Sequence, residues 1–167
     1  RGNFLEPGDV AAALGPDVVT VWLNVNDMVE QVPVALYEQD LRRMLEPLTQ
    51  TGATVLVATT PRIDSLPIYL ACRPDPPAAG PSCPAPDVSL PTPAEVRATV
   101  AGYNAAIERV AAETGAIVVD LQAYGDAPAT NPEWIAPDGF HPSTDGAEAI
   151  AGAFAEVLPP RAGRRLR

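Results

Sequence analysis

The chain has 167 residues, which is enough for one domain with a sizeable core, and 47% of them are hydrophobic. Its formal net charge of −10 repels phosphate backbones, so we do not expect nucleic acid to be a partner. No apolar stretch reaches the roughly eighteen residues that a membrane span needs. We therefore predict a single domain over residues 1–167, ending in a locally basic, solvated tail at 159–167.

Three short runs rich in β-branched residues predict strands. They are Val18–Leu23, Thr54–Ala58 and Ala116–Val119. Continuous apolar runs of this length are typical of parallel strands that are buried on both faces. Helical patterns lie between the runs, and this alternation predicts an α/β fold with a parallel sheet.

The helix before the second strand is indicated by apolar residues spaced for one face: Leu41, Met44, Leu45 and Leu48. Pro47 lies inside this pattern, and we expect it to kink or shorten the helix.

Two later helices have clear start and stop signals. The segment Thr92–Glu95 (TPAE) combines an N-cap, a proline at the first helical position and a capping-box glutamate, and Gly115 is placed to end that helix. Ser143 is the predicted N-cap of the last helix, which Pro159 and Pro160 stop. The predicted buried face of that helix consists of Ala147, Ile150, Ala151, Phe154 and Leu158.

Polar residues follow each predicted strand. Asn24–Asp27 follows the first, Thr59–Arg62 follows the second, and Asp120 ends the third. Right-handed crossovers bring the carboxyl ends of parallel strands to one edge of the sheet, where ligands bind. We expect all three segments to face one cleft.

The stretch 61–93 holds about half of the prolines and is too long for an ordinary connection. It is either a lid or substrate-binding loop, or a tolerated surface insertion. Cys72 and Cys83 lie in it, either as a disulfide formed in an oxidising compartment or as two free thiols. Two cysteines without a nearby histidine are too few for a structural zinc site, so no metal is predicted.

His141 is the only histidine, and Asp138 precedes it by three residues. In a turn, this spacing lets the carboxylate accept a hydrogen bond from one ring nitrogen, which fixes the tautomer. The other nitrogen can then act as a general base toward a hydroxyl. A lone histidine is more often structural, and an Asp-x-x-His pair alone is a weak motif.

The segment Asn24–Asp27 (NVND) has two interpretations. Asn and Asp favour turns and helix caps, so the segment can be an ordinary connection after a strand. Alternatively, the side-chain amide of Asn26 donates a hydrogen bond to an oxyanion in the cleft.

Together these features resemble the SGNH (GDSL-type) esterase/lipase family. The segment VTVWLNVND resembles the family's Gly-x-Asn-Asp block, and DGFHPSTDGAEAIAGAF resembles its Asp-x-x-His block before the last helix. The resemblance implies a flavodoxin-like three-layer α/β/α fold. It also implies that His141 is the general base, Asp138 its orienting acid and Asn26 an oxyanion-hole donor, while Asp27 holds the turn. Asn24 stands where the family usually has glycine, so it alters the turn or adds a polar group near the substrate.

The family's first block, Gly-Asp-Ser, has no counterpart, because Gly8-Asp9 is followed by Val10. None of the four serines is flanked like a nucleophile. We therefore expect the fold to be incomplete on its N-terminal side, with the serine supplied from upstream. Val18–Leu23 would then be an exposed edge strand through which chains could associate.

The favoured function is a carboxylic-ester hydrolase that acts on a small-molecule ester through a serine acyl-enzyme, needs no cofactor, and is secreted or periplasmic. The first alternative is a non-catalytic module that binds a ligand in the same cleft. A less favoured alternative is an Asp–His dyad that activates water directly.

Overall fold

The computed structural model describes residues 7–126 and 130–160 of the chain. Its sheet has three parallel strands in the order β1 (Val18–Val21), β2 (Thr54–Ala58) and β3 (Ile117–Val119). The prediction of an α/β fold with a parallel sheet is confirmed. The basic tail falls outside the described residues from position 161 onward.

Helices connect and cover the strands. They are α1 (Pro7–Ala13), α2 (Val25–Val29), α3 (Val34–Gln50), α4 (Pro67–Ala71), α5 (Pro93–Thr114) and α6 (Thr144–Glu156). Among the described helices, none combines the length and apolarity needed to cross a bilayer.

The helices lie on both faces of the sheet, which gives three layers. Side chains of β2 alternate between the faces: Val55 and Val57 belong to a core that includes α3 and α5 residues. Leu56 and Ala58 point the other way, into a smaller core with α6. The first core is the better covered, because two long helices pack on that face.

Local signals fix the ends of α5 as predicted. The Thr92 hydroxyl accepts from the Glu95 backbone N–H at 3.3 Å, and the Glu95 carboxylate accepts from the Thr92 N–H at 2.7 Å. Gly115 ends the helix with a φ of 81°, a conformation in which a side chain is strained. Pro47, by contrast, does not shorten α3. It lies in the last turn, and the helix continues to Gln50 although Pro47 cannot donate to the carbonyl four residues earlier.

The predicted buried face of α6 is partly wrong. Ile150 and Phe154 are half-buried, as expected, but Ala147, Ala151 and Leu158 are exposed. The fully buried positions are instead Gly146 and Ala153, because Gly146 packs against the backbone of the preceding segment.

β1 is an edge strand of the described sheet, since its one partner strand there is β2. Val18 is 43% exposed, and Leu23 just beyond the strand is 58% exposed. Apolar surface of this kind along an edge favours association.

Candidate active site

A cavity of about 380 Å³ opens at the carboxyl ends of the strands. Its walls come from residues 22–27 after β1, from parts of 61–66 after β2 and 121–125 after β3, and from the 134–142 segment and α6. The cleft predicted from the strand ends therefore exists, and His141 and Asn26 both line it.

The imidazole of His141 pairs with the carboxylate of Asp138, as the spacing predicts. Nδ1 of His141 lies 2.7 Å from Oδ2 of Asp138. The other oxygen of Asp138 accepts from the backbone N–H groups of Phe140 and His141, at 2.9 and 3.0 Å. The carboxylate therefore both shapes the turn and orients the ring.

Asp138 is ionised over the whole physiological pH range. Its hydrogen bond with His141, together with the two backbone N–H groups, lowers its pKa to about 2. An ionised carboxylate can only accept, so Nδ1 of His141 is the donor. Nε2 of the neutral ring then carries a lone pair, and none of the residues in 7–126 and 130–160 is bonded to it.

Backbone hydrogen bonds close the turn that carries the pair. Ala136 N–H donates to the carbonyl of His141 at 2.8 Å, and Gly139 N–H donates to that of Ala136 at 2.9 Å. Gly139 has a φ of 76°, which favours glycine. A short sequence thus forms a compact loop just before α6, and this explains why the contact between the two side chains agrees with their spacing.

Asn26 and Asn24 have different surroundings. Asn26 is an exposed residue on the cavity wall. Asn24 is only 3% exposed, and its Nδ2 donates to the Ala58 carbonyl at 3.3 Å. Asn24 thus ties the end of β1 to the end of β2. Its φ of −148° is open to any residue, so the turn does not require the glycine that the resemblance implies here.

Asp27 is partly buried and also lines the cavity. Burial raises the pKa of its carboxyl. Its carbonyl accepts from Val32 N–H at 2.9 Å, and the Val32 carbonyl in turn accepts from the Tyr103 hydroxyl. This anchoring to α5 holds the 24–32 segment beside the cavity.

The expectation that all three segments face one cleft holds only in part. Asn24–Asp27, Pro61 and Arg62 line the cavity, but Thr59, Thr60 and Asp120 do not. Thr59 and Thr60 are buried, and a polar network joins them to neighbouring segments. Thr60 N–H donates to Oδ1 of Asn104 at 2.8 Å, and Asp120 accepts from Gln122 N–H at 3.0 Å. The buried amide of Asn104 was missed in the sequence, since nothing in the α5 pattern distinguishes it from a surface residue.

A second missed feature supports the loop after β2. Asp64 is 6% exposed and accepts hydrogen bonds from Arg62 and, at 2.6 Å, from Arg97 of α5. Burial alone would raise the pKa of Asp64, but these two guanidinium groups outweigh it and lower the pKa. The ion pairs fix Arg62, which lines the cavity.

None of the chain's four serines lines the cavity. Ser143 caps α6, and Ser65 donates to the carbonyls of Arg62 and Gly125. Ser82 and Ser89 lie exposed in the Pro-rich segment. Within the described residues, no group of three or more His, Cys, Asp or Glu side chains is placed to hold a metal ion.

The two cysteines form a disulfide in this structure. Cys72 directly follows α4, and its bond to Cys83 closes a loop between positions that are 11 residues apart. The Pro-rich segment is thus not a single open loop, because α4 and the disulfide organise it as far as Cys83.

Several solved structures, two of them esterases, share this fold. The crystal structure of TesA matches with a TM-score of 0.61 at 18% identity, covering 90% of this chain and 67% of that one. The acetyl xylan esterase AlAXEase matches with a TM-score of 0.60 at 19% identity, covering 87% of this chain and 69% of that one. An Axe2 mutant, an acetyl-xylooligosaccharide esterase from Geobacillus stearmophilus, matches with a TM-score of 0.59 at 21% identity, covering 90% of this chain and 65% of that one. The chain spans about two thirds of the length of these structures.

The sheet, its helices and the cavity therefore define an α/β domain of the kind found in GDSL-type hydrolases. The sequence profile of the GDSL-like lipase/acylhydrolase family matches residues 2–149, so the chain belongs to that family. The matched region includes Asp138 and His141. A search of curated proteins gives no match. Family and fold together support a hydrolase of the ester type.

Proposed function

We propose that this domain carries the base half of a serine carboxylic-ester hydrolase. The observation that supports the proposal is the 2.7 Å contact between His141 Nδ1 and Asp138, in a ring that lines the same cavity as Asn26. A histidine with one nitrogen fixed by an ionised carboxylate and the other unbonded is arranged for general-base work.

In the proposed reaction, Nε2 of His141 accepts the proton of a serine hydroxyl while the serine oxygen bonds to the ester carbonyl carbon. The carbonyl electron pair moves onto oxygen, and the amide of Asn26 donates a hydrogen bond to this oxyanion. His141 then gives its proton to the departing alkoxide, leaving an acyl-enzyme. Water repeats the sequence and releases the acid, with Asp138 ionised throughout.

The serine in this proposal comes from a segment that precedes Arg1. Two observations support that source: the chain's four serines lie outside the cavity, and β1 is at the edge of the described sheet, where a further parallel strand could pair. The reaction needs only side chains and water, so no cofactor is proposed. The disulfide between Cys72 and Cys83 supports a secreted or periplasmic location.

The second candidate is a ligand-binding module without catalysis. The absence of any of the four serines from the cavity wall favours it. In that case the apolar walls around Trp22, Trp134 and Ile150 would hold a ligand, and His141 would contribute only a polar contact.

The decisive experiment compares the 167-residue chain with a version extended upstream in its coding sequence. Hydrolysis of p-nitrophenyl acetate and butyrate is measured for both. The enzyme proposal predicts that the extended chain is active and that His141→Ala removes most of the activity. Glu148→Ala, an exposed change on α6, serves as the matched control. An active extended chain whose rate survives His141→Ala would show that the assigned base is wrong.

A further inference from the structure

The Pro-rich segment contacts the turn that carries Asp138 and His141 at Gly139. A Cβ placed on Gly139 would lie 2.6 Å from Cγ of Pro81, 2.9 Å from the backbone nitrogen of Ile68 and 3.2 Å from Cβ of Pro67. The Ile68 N–H also donates to the Gly139 carbonyl at 3.1 Å. Gly139 is therefore in close contact with two parts of the segment.

The two parts are joined by the disulfide. Pro67 and Ile68 form the first turn of α4, and Cys72 directly follows this helix. Cys83 lies two residues after Pro81, so its bond to Cys72 links the segment that contains Pro81 to the end of α4. A hydrogen bond also holds α4 in place: the hydroxyl of the buried Tyr69 donates to the Pro91 carbonyl at 2.7 Å.

The chain on either side of the half-buried Pro81 is loosely packed. A cavity of about 180 Å³ separates α4 from the 77–81 stretch, and most residues between 74 and 89 are exposed. Loosely packed chain of this kind moves unless a covalent link restrains it. The disulfide supplies that restraint on the side facing Gly139.

We propose that the disulfide-closed segment positions the Asp138–His141 pair, with Pro81 as the positioning residue that acts through Gly139. The side chains of Asp138 and His141 are 51% and 70% exposed, so their own burial does little to hold them. Contact with Pro81 and Ile68 restrains the turn at the residue between the carboxylate and the ring. The role of the positioned pair in ester hydrolysis rests on the proposed function, whereas the positioning itself does not.

The test uses the chain's single histidine, labelled with ¹⁵N, as a reporter. The nitrogen shifts of a neutral imidazole distinguish the Nδ1–H from the Nε2–H tautomer, and the bond to Asp138 favours Nδ1–H. Spectra are compared for the parent chain, Pro81→Gly and the double variant Cys72→Ser/Cys83→Ser. The control is Pro76→Gly, an exposed proline inside the same disulfide loop, which alters chain flexibility equally.

We expect Pro81→Gly and the cysteine double variant to lower the Nδ1–H to Nε2–H ratio by about two- to tenfold, the range for weakening one side-chain hydrogen bond. Pro76→Gly should leave the ratio unchanged. Reducing the parent chain with a phosphine should reproduce the double variant's spectrum, and reoxidation should reverse it. That reversal separates positioning from a folding defect of the variants.

Two results would overturn the proposal: unchanged ratios in both the Pro81 and the cysteine variants, or an equal shift in Pro76→Gly. The hydrolysis assay on the extended chain tests a different claim. If the ratios shift but the extended chain is inactive, the positioning stands and the esterase proposal fails. If the extended chain is active but the ratios do not shift, the esterase proposal stands and the positioning proposal fails.

Discussion

Adding one methyl group to α6 should have opposite effects at two of its glycines. A Cβ on Gly146 would lie 2.1 Å from the Trp134 carbonyl oxygen, about 0.9 Å inside the 3.0 Å limit below which Cβ contacts essentially never occur. A Cβ on Gly152 would meet nothing within 4 Å. Gly146→Ala should therefore destabilise the fold, and Gly152→Ala should stabilise it.

The magnitudes follow from the contacts. At Gly152 only helix propensity changes, which stabilises by about 0.5–1 kcal/mol. At Gly146 overpacking costs about 1–3 kcal/mol. A displaced Trp134 carbonyl also weakens its 2.8 Å bond from Ser143 N–H, which adds about 0.5–1.5 kcal/mol. After subtracting a propensity gain of about 0.5–1 kcal/mol, Gly146→Ala should lower the free energy of unfolding by about 0.5–4 kcal/mol.

Urea denaturation measures both effects through the fluorescence of the two tryptophans, Trp22 and Trp134. Parent and variants are compared at the same low protein concentration, because association would shift the midpoints. If the midpoint of Gly146→Ala equals or exceeds that of Gly152→Ala, the close approach of α6 to the 134–143 segment is wrong.

Three further predictions test the site and the edge strand. Asp138→Asn in an active extended chain should lower kcat by about 10³–10⁴-fold, because the amide favours the wrong ring tautomer. The pKa of Asp138 is depressed to about 2, so the wild-type carboxylate loses its bonds only as the pH falls below about 3.8 towards 2. Rates measured between pH 5 and 8 should therefore not report its titration. Gly139→Ala should destabilise more than Gly115→Ala in thermal unfolding, by about 1–3 kcal/mol, because φ is similar but only Gly139 has close neighbours. Val18→Lys should reduce self-association and hydrophobic-dye binding of the 167-residue chain, measured by light scattering and fluorescence, and an unchanged signal would show that the β1 edge is not the contact.

The features that the sequence predicts well are those whose signals are local. The bounds of β2 agree with its apolar run, and the capping box of α5 depends on residues three apart. The Asp138–His141 contact is also local, since one turn brings the two side chains together. Patterns of this kind need no knowledge of which segments pack against each other.

The features that were missed depend on contacts between distant segments. Asn104 looks like any polar residue in a helix until the end of β2 is packed against it. The buried Asp64 is paired with Arg62 nearby and with Arg97, 33 residues away. The contact between Pro81 and Gly139 joins segments almost 60 residues apart. No periodicity or cap signal encodes such pairings, so they emerge only from the fold.

The edge position of β1 in the described sheet and the proposed upstream source of the nucleophile lead to one joint prediction. A preceding strand that paired with β1 would cover Val18, and its carboxyl end would reach the sheet edge where His141 lies. We therefore expect the extended chain to lose dye binding and gain esterase activity together. An extended chain that loses dye binding but stays inactive would have its sheet completed without a nucleophile, and this result would favour the ligand-binding module.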